Sequence, residues 1–255
     1  MIFTDTHTHL YSESFSEDQH EVIERALQNN VSKFYVPAID STHTDAMYAL
    51  EKNYPEHVKL MMGLHPTSVG ENVEEELEHV FENFAKRDFI AVGEIGIDLY
   101  WDKSFLKEQK YAFKKQIHLA KEKNLPIVIH CRDAFDEIFE VLEEENHSSL
   151  RGIFHCFTGT KDQALKAIDY GMKLGIGGVL TFKNGKIDQF IDEIDLSHLV
   201  LETDSPYLAP SPFRGKRNES AYLIYVAKKL SEIKKLSLEE IAAATTNNAL
   251  QIFGE

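Results

Sequence analysis

Eight short apolar runs recur along this chain and alternate with longer amphipathic segments. The runs are rich in β-branched and aromatic residues, and most lack polar alternation, which is typical of parallel strands covered on both faces. They predict strands at 2–7, 33–38, 58–64, 89–94, 126–130, 152–155, 172–176 and 199–204. Eight strands that alternate with helices over about 250 residues predict an α/β fold, a (β/α)8 TIM barrel. We expect this barrel to form a single domain over residues 1–255.

The segments between the strands carry helical periodicity. Phe135, Ile138 and Leu142 occupy positions i, i+3 and i+7, and acidic residues take the opposite face. Ser237 followed by Glu240 forms a capping-box pattern, which predicts a final helix that runs to residue 252. The main alternative architecture is a doubly wound open sheet. No G-x-G-x-x-G or G-x-x-x-x-G-K-S/T pattern follows a predicted strand, so the nucleotide-binding versions of that alternative lack support.

The composition excludes several classes of protein. Lys and Arg total 27 against 42 Asp and Glu, which gives a formal net charge of −15. A chain this acidic cannot coat nucleic acid through bulk charge, so such contact must be local, with metal ions able to supply positive charge. Two cysteines are too few for a disulfide scaffold. No apolar run reaches the roughly 18 residues of a membrane span, and the first residues do not resemble a signal peptide, so we expect a cytoplasmic protein without membrane partners.

The active-site groups of such barrels lie at the carboxyl ends of the strands. Metal-binding side chains occupy these positions at five of the eight predicted strands: His7, His9, Glu94, His130, His155 and Asp204. His7 and His9 stand two residues apart on an extended segment, so both rings point the same way and one ion can bind both. Four imidazoles and two carboxylates exceed the three protein ligands of a single catalytic zinc ion. They suit two divalent ions with Glu94 between them, and fit zinc, manganese, iron or cobalt better than magnesium, without choosing among these.

Three more residues near these positions have less certain roles. Cys131 and Cys156 each directly follow a predicted ligand, and neighbours on a strand face opposite sides, so we expect both to be small buried residues that point away from the metals. His65 ends the third strand. It could be a metal ligand, a general acid, a contact to substrate phosphate or a structural residue of the rim.

Positive charges also follow the predicted strands. Arg132 comes after the fifth strand and Lys183 after the seventh, while Arg214, Lys216 and Arg217 share one loop after the eighth. Phosphate-binding positions in barrels often follow strands seven and eight, so we predict that these cations bind substrate. The alternative for the loop is a solvated surface segment.

Six segments together resemble the TatD family of metal-dependent deoxyribonucleases, within the amidohydrolase-like barrels. They are DTHTHL (5–10), GLHP (63–66), VGEIGID (92–98), PIVIHCR (126–132), HCFTG (155–159) and LETDSPY (201–207). H-x-H alone is a weak signal, but the ordered set is specific and the resemblance runs from residue 5 to 218. It implies a two-metal site formed by His7, His9, Glu94, His130 and Asp204, with His155 completing it.

The resemblance also implies hydrolysis of DNA phosphodiester bonds, as a 3′–5′ exodeoxyribonuclease acting on single-stranded ends with two divalent ions such as Zn, Mg or Mn. Asp204 is the best candidate for a combined ligand and general base, with Glu94 and His65 as further catalytic residues. Glu202 lies two residues before Asp204 and should therefore face the same side of the strand. There it could bind a further ion, position a water or support the site. The alternatives are a hydrolase of a small amide, lactone or aminoacyl ester, which would not need the cationic loop, and a non-catalytic metal-stabilised scaffold. The sequence does not specify an oligomeric state.

Overall fold

The computed structural model describes residues 1–254, and within them eight strands form the wall of a barrel. The strands are β1 (Phe3–Asp5), β2 (Val31–Pro37), β3 (Val58–Met61), β4 (Val92–Asp98), β5 (Ile127–Arg132), β6 (Gly152–Phe154), β7 (Met172–Ile176) and β8 (Leu199–Leu201). Strands that are neighbours in sequence pair in parallel from β1 to β3 and from β4 to β8.

Two seams close the wall of the barrel. Between β3 and β4, the Gly93 N–H donates to Met62 O at 3.0 Å. Between β8 and β1, the Thr6 N–H donates to Leu201 O at 3.0 Å. The predicted α/β barrel is therefore confirmed, and residues from both ends of the chain share one rim.

Six helices alternate with the first seven strands and two follow the last. They are α1 (Gln19–Gln28), α2 (Thr44–Asn53), α3 (Val73–Lys86), α4 (Leu106–Lys123), α5 (Phe135–Glu144), α6 (Lys161–Asp169), α7 (Leu223–Lys234) and α8 (Leu238–Phe253). The capping box of Ser237 and Glu240 that precedes α8 is confirmed. None of the helices within residues 1–254 is both long and apolar enough to cross a membrane.

The connection from β7 to β8 departs from the predicted alternation of strands and helices. Short 3-10 turns replace an α-helix there, at Gly178–Thr181, Ile187–Gln189, Ile191–Glu193 and Leu196–His198. Gly177, Gly178 and Gly185 interrupt this stretch. Each glycine costs about 1 kcal/mol relative to alanine inside a helix, which disfavours a continuous one.

β4 lies farther along the chain than the sequence predicts. The expected strand was 89–94, whereas β4 spans Val92–Asp98. Glu94 consequently lies within the strand, and it is only 2% exposed. Gly96 permits the close approach of the neighbouring strand, because its φ is +142° and a Cβ there would lie 2.0 Å from His130 O. The strand continues past Glu94 because imidazoles from other segments partner its buried carboxylate, and the local sequence does not reveal those partners.

Alternate residues of the strands pack in two separate apolar clusters. Ile127 and Ile129 belong to the main core, which also contains the buried faces of the helices. Val128 lies between them in sequence but belongs to a smaller cluster inside the barrel. That inner cluster is Tyr35, Met61, Ala91, Val128, Ile153, Val200, Ala249, Ile252 and Phe253. Phe253 stacks on Tyr35 with ring centroids 4.1 Å apart, so the end of α8 covers the inner cluster.

Candidate metal centre

The polar site lies directly beyond the inner apolar cluster. Side chains two residues apart on a strand face the same side, so each strand can carry one apolar and one polar residue toward the interior. Three strands or their continuations show this pairing: Val128 and His130, Ile153 and His155, Val200 and Glu202. On each of these strands, the inward-facing residue just before the polar one is packed in the apolar cluster. This packing fixes the position of the polar side chains.

One group of donor atoms joins the ends of β1 and β8 to β4. His7 Nε2 lies 3.3 Å from His9 Nε2 and 3.0 Å from Glu94 Oε2. Asp204 Oδ1 lies 3.4 Å from His9 Nε2 and 3.8 Å from His7 Nε2. A four-coordinate zinc-like ion bound at about 2.1 Å holds its donors about 3.4 Å apart, so these separations fit a metal ion.

A second group of donors lies on the other oxygen of Glu94. Glu94 Oε1 is 2.8 Å from His130 Nδ1 and 3.3 Å from His65 Nε2. His155 Nε2 is 3.8 Å from the same oxygen and 3.6 Å from Asp204 Oδ1. All six predicted ligands are thus brought together, with His65 beside them and Glu94 between the two groups.

The electrostatics of the centre also fit divalent cations. Burial raises the pKa of Glu94, but His65, His7 and His155 more than reverse this and hold that pKa well below its usual range. Burial likewise opposes the ionised form of Asp204, and the nearby histidines again bring its pKa below the usual value. Two ionised carboxylates among imidazoles in a buried site form a donor set suited to divalent transition metals.

Two carboxylates lie directly behind the ligand rings. Asp98 Oδ2 lies 2.8 Å from His130 Nε2, and Glu202 Oε1 lies 3.0 Å from His155 Nδ1. Burial lowers the pKa of His155, but Glu202, Glu94 and Asp204 raise it to about 10. Such carboxylates behind ligand histidines fix ring orientation and raise ligand basicity. The sequence leaves three roles open for Glu202 and gives Asp98 none, although Asp98 ends the third of the six motifs.

A tyrosine fixes the tautomer of His9. The Tyr11 hydroxyl donates to Pro37 O at 2.9 Å, so its oxygen must accept the hydrogen bond from His9 Nδ1 at 3.0 Å. His9 therefore carries its proton on Nδ1 and presents the lone pair of Nε2 to the centre. Sequence reasoning missed this residue, because β1 ends at Asp5 and Tyr11 lies in a turn where strand alternation does not apply.

Asp5 links the two chain segments that carry the first donor group. Its carboxylate accepts hydrogen bonds from the Thr203 N–H at 2.9 Å and from the Thr203 hydroxyl at 2.6 Å. Burial raises the pKa of Asp5 to about 7, although these hydrogen bonds favour the ionised form. Asp5 thereby holds His7 and Asp204 in register across the second seam of the barrel.

Both cysteines are half-buried rather than buried, and the prediction that they point away from the metals holds only for Cys131. Cys131 packs against the main apolar core, and burial raises the pKa of its thiol to about 12. Cys156 instead lies with His155 and Glu202, with potential ligand atoms of all three within 4.8 Å of one another. The strand argument fails there because β6 ends before Cys156, whose φ of +43° turns the backbone.

A cleft of about 680 Å³ opens over the centre, and only some of the cations predicted to bind substrate line it. Arg132, Arg214 and Lys216 line it, together with His65. Among residues 1–254, the lining does not include Lys183 or Arg217.

Arg217 turns away from the cleft because it has an acidic partner elsewhere. Its guanidinium donates to both carboxylate oxygens of Asp18, at 2.7 and 2.6 Å, and to Ser14 O at 2.7 Å. The sequence prediction that Arg217 contacts substrate therefore lacks support from its placement. No signal in the loop itself reveals this, since Asp18 lies near the opposite end of the chain.

Imidazoles and carboxylates gathered at the carboxyl ends of barrel strands define a metal-dependent hydrolase of the (β/α)8 class. This chain belongs to the TatD related DNase family, whose pattern matches residues 4–254. The resemblance of the six motifs is thereby confirmed.

Relatives of the chain cover nearly its whole length. It is 43% identical over 255 residues to the uncharacterized metal-dependent hydrolase YabD of Bacillus subtilis, covering 99% of each chain. It is 30% identical over 259 residues to the 3'-5' ssDNA/RNA exonuclease TatD of Pantoea ananatis, covering 98% of each. The crystal structure of YjjV, a TatD homolog from Escherichia coli, matches with a TM-score of 0.93 and 32% identity, covering 99% of this chain and 98% of that one.

Proposed function

We propose that this protein hydrolyses phosphodiester bonds of DNA and removes nucleotides from the 3′ ends of single strands, using two divalent ions. The observation that carries the proposal is the cationic lining of the cleft. Arg132, Arg214 and Lys216 stand above the donor groups in a chain of net charge −15. In residues 1–254 none of these three cations is ion-paired to a carboxylate, whereas Arg217 pairs with Asp18. The name of the Pantoea relative agrees with this substrate class.

The residues divide between two candidate ion positions. His7, His9, Glu94 and Asp204 would hold one ion, and Glu94, His130 and His155 would hold the second with His65 beside it. When bound, divalent ions in such a site acidify a coordinated water and neutralise charge on the phosphate.

Asp204 is the proposed general base. Its backbone lies in the left-handed region, with φ of +58°, and its N–H donates to His7 O at 2.9 Å. This turn presents a side chain that is 14% exposed at the cleft. Because its pKa lies below the usual value, the carboxylate is ionised at neutral pH and can accept a proton from the attacking water.

The cleft residues bind and neutralise the substrate. Arg132 and Arg214 can each bind phosphate oxygens through two guanidinium N–H groups, while Lys216 adds a point charge. His65 differs from these because burial lowers its pKa, so its ring is neutral near pH 7. His65 then contributes a donor or acceptor atom beside Glu94, and the three cations supply the counter-charge.

The alternative substrate class is a small amide, lactone or aminoacyl ester. Its hydrolysis would use the same metal donors but would not need three unpaired cations around the cleft. A combined Arg214→Ala and Lys216→Ala variant separates the two classes. DNA cleavage should fall while the amount of bound metal stays the same, and the rate on a small ester should be unaffected.

The first experiment is a cleavage assay on single-stranded DNA labelled at either end, with Mg²⁺, Mn²⁺ and Zn²⁺ in turn. Asp204→Asn should slow cleavage by about 1,000-fold or more, because a single catalytic group is removed. Asp88→Asn is the matched control, since it makes the same chemical change at an exposed residue outside the cleft.

Stepwise shortening of the 5′-labelled strand, lost only in Asp204→Asn, is the expected result. Shortening from the 5′ end would contradict the proposed polarity. Failure of the metal-loaded protein to cleave any strand, alongside turnover of esters or amides, would replace the proposal with the small-substrate alternative.

A further inference from the structure

Several of the large apolar side chains that remain exposed lie at the mouth of the cleft. Trp101 is 70% exposed and Tyr100 is 54% exposed, and both lie in the connection from β4 to α4. In the segment after β8, Tyr207 is 54% exposed and Leu208 is 36% exposed. Trp101, Tyr207 and Leu208 line the cleft. Exposed apolar groups concentrated at one cleft indicate a ligand with apolar faces.

The aromatic pair is tied to the metal centre through one carboxylate. Asp98 Oδ1 accepts hydrogen bonds from the Tyr100 N–H at 2.9 Å and the Trp101 N–H at 3.2 Å. The other oxygen of Asp98 lies 2.8 Å from His130 Nε2. The backbone of Trp101 is therefore held at a fixed position relative to the donor groups.

A guanidinium lies against the same aromatic pair. The Arg132 guanidinium carbon is 3.9 Å from the ring centroid of Tyr100 and 5.5 Å from that of Trp101. Within the described residues Arg132 makes no ion pair with a carboxylate, so its N–H groups can bind an anion. A flat aromatic surface beside such a cation matches a nucleotide, because the base stacks on the ring while the phosphate meets the charge.

We propose that Trp101, supported by Tyr100 and Arg132, is a stacking platform for an unpaired nucleobase of the strand being cleaved. The platform rests on the proposed nuclease function and adds a selection that the metal donors do not provide. Bases inside a duplex stack on one another and cannot also stack on the indole. The platform therefore selects single strands and frayed ends.

Binding can be measured directly, because Trp101 is the only tryptophan of the chain. The metal-loaded Asp204→Asn variant is titrated with a single-stranded oligodeoxynucleotide and with an abasic strand of the same length, while anisotropy of labelled strands measures binding independently. The base-containing strand should quench Trp101 fluorescence, and the abasic strand should bind without quenching. Equal quenching by both strands, or binding of the base-containing strand without quenching, would overturn the platform.

Turnover of three Trp101 variants tests whether a flat ring is required. Trp101→Ala should raise KM for the single strand about 5- to 100-fold, as expected for loss of one base–aromatic stack. Trp101→Phe should recover most of the loss, whereas Trp101→Leu should not. Tyr111→Ala is the control, since Tyr111 is a 38% exposed aromatic residue on α4 outside the cleft lining. Recovery by Trp101→Leu equal to that by Trp101→Phe would contradict stacking.

The outcomes separate the platform from the proposed function. Cleavage of single strands with an unchanged KM in Trp101→Ala would reject the platform and leave the nuclease intact. Base-dependent quenching without cleavage by the wild-type protein would reject the nuclease and leave the base site. An oligoribonucleotide of the same sequence, titrated in parallel, distinguishes RNA from DNA as the source of the base.

Discussion

The two ends of the barrel interior are built from the same strands but have opposite chemistry. Val128 and Ile153 are fully buried in an apolar cluster that the end of α8 covers. Two residues farther along, His130 and His155 meet carboxylates in an open cleft. The comparison shows that side chains two residues apart on one strand, which face the same side, can contribute first to an apolar cluster and then to the metal centre. Substitutions at the two ends should therefore have separable effects, on stability at one and on turnover at the other.

Glu94→Gln should produce the largest change, because this carboxylate lies between both groups of donor atoms. We expect turnover of single-stranded DNA to fall by about 1,000-fold or more. The circular dichroism spectrum should stay native, since the apolar end is untouched. Turnover near the wild-type rate at saturating metal would show that Glu94 does not join the two groups.

Ile153→Ala tests the opposite end of the strand that leads to His155. Removing this fully buried side chain should lower the free energy of unfolding by about 2–5 kcal/mol, measured by urea denaturation. Turnover at a temperature where the variant is folded should stay within a few-fold of wild type. Ile153→Val is the graded control and should cost about 0.5–1.5 kcal/mol. A large loss of turnover in the folded variant would mean that the two ends are coupled.

Glu202→Gln examines the support behind His155. We expect metal affinity, measured by competition with a chelator, to weaken about 10- to 100-fold, because the amide no longer raises the basicity of the ring. Glu239→Gln on the exposed first turn of α8 is the matched control and should bind metal normally. Unchanged affinity in Glu202→Gln would place this carboxylate outside the function of the centre.

Arg217→Ala should have the smallest effect. Arg217 does not line the cleft, and its surface ion pair with Asp18 contributes about 1 kcal/mol or less to stability, so cleavage of single-stranded DNA should stay close to the wild-type rate. Arg214→Ala, in the same loop but lining the cleft, should reduce kcat/KM measurably more. An equal loss in both variants would show that the whole loop binds substrate.

The sequence predicts much of the metal centre because the relevant rules are local. Strand periodicity and the rule for barrel active sites identify His7, Glu94, His130 and Asp204 without any knowledge of contacts. The same rules mislead where the backbone leaves the strand. Cys156 adopts a positive φ immediately after β6, so the alternation of facing sides no longer holds.

Other features depend on partners that are distant in sequence. Arg217 is drawn to Asp18, and only the closed barrel brings those segments together. Asp98 gains its role because it meets both His130 and the backbone of Trp101. The absence of an α-helix before β8 reflects the low helix propensity of the glycines in that connection. A prediction based only on the number of strands does not take this into account.

The seam between β1 and β8 has a consequence for synthesis of the chain. His7 and Asp204 lie far apart in the sequence, yet the Asp204 N–H donates a hydrogen bond to His7 O. A ribosome-bound chain that has not yet released its eighth strand holds an incomplete set of ligands. A complete set of ligands therefore requires the segment after the eighth strand, so that fragments that end before Asp204 carry no complete centre.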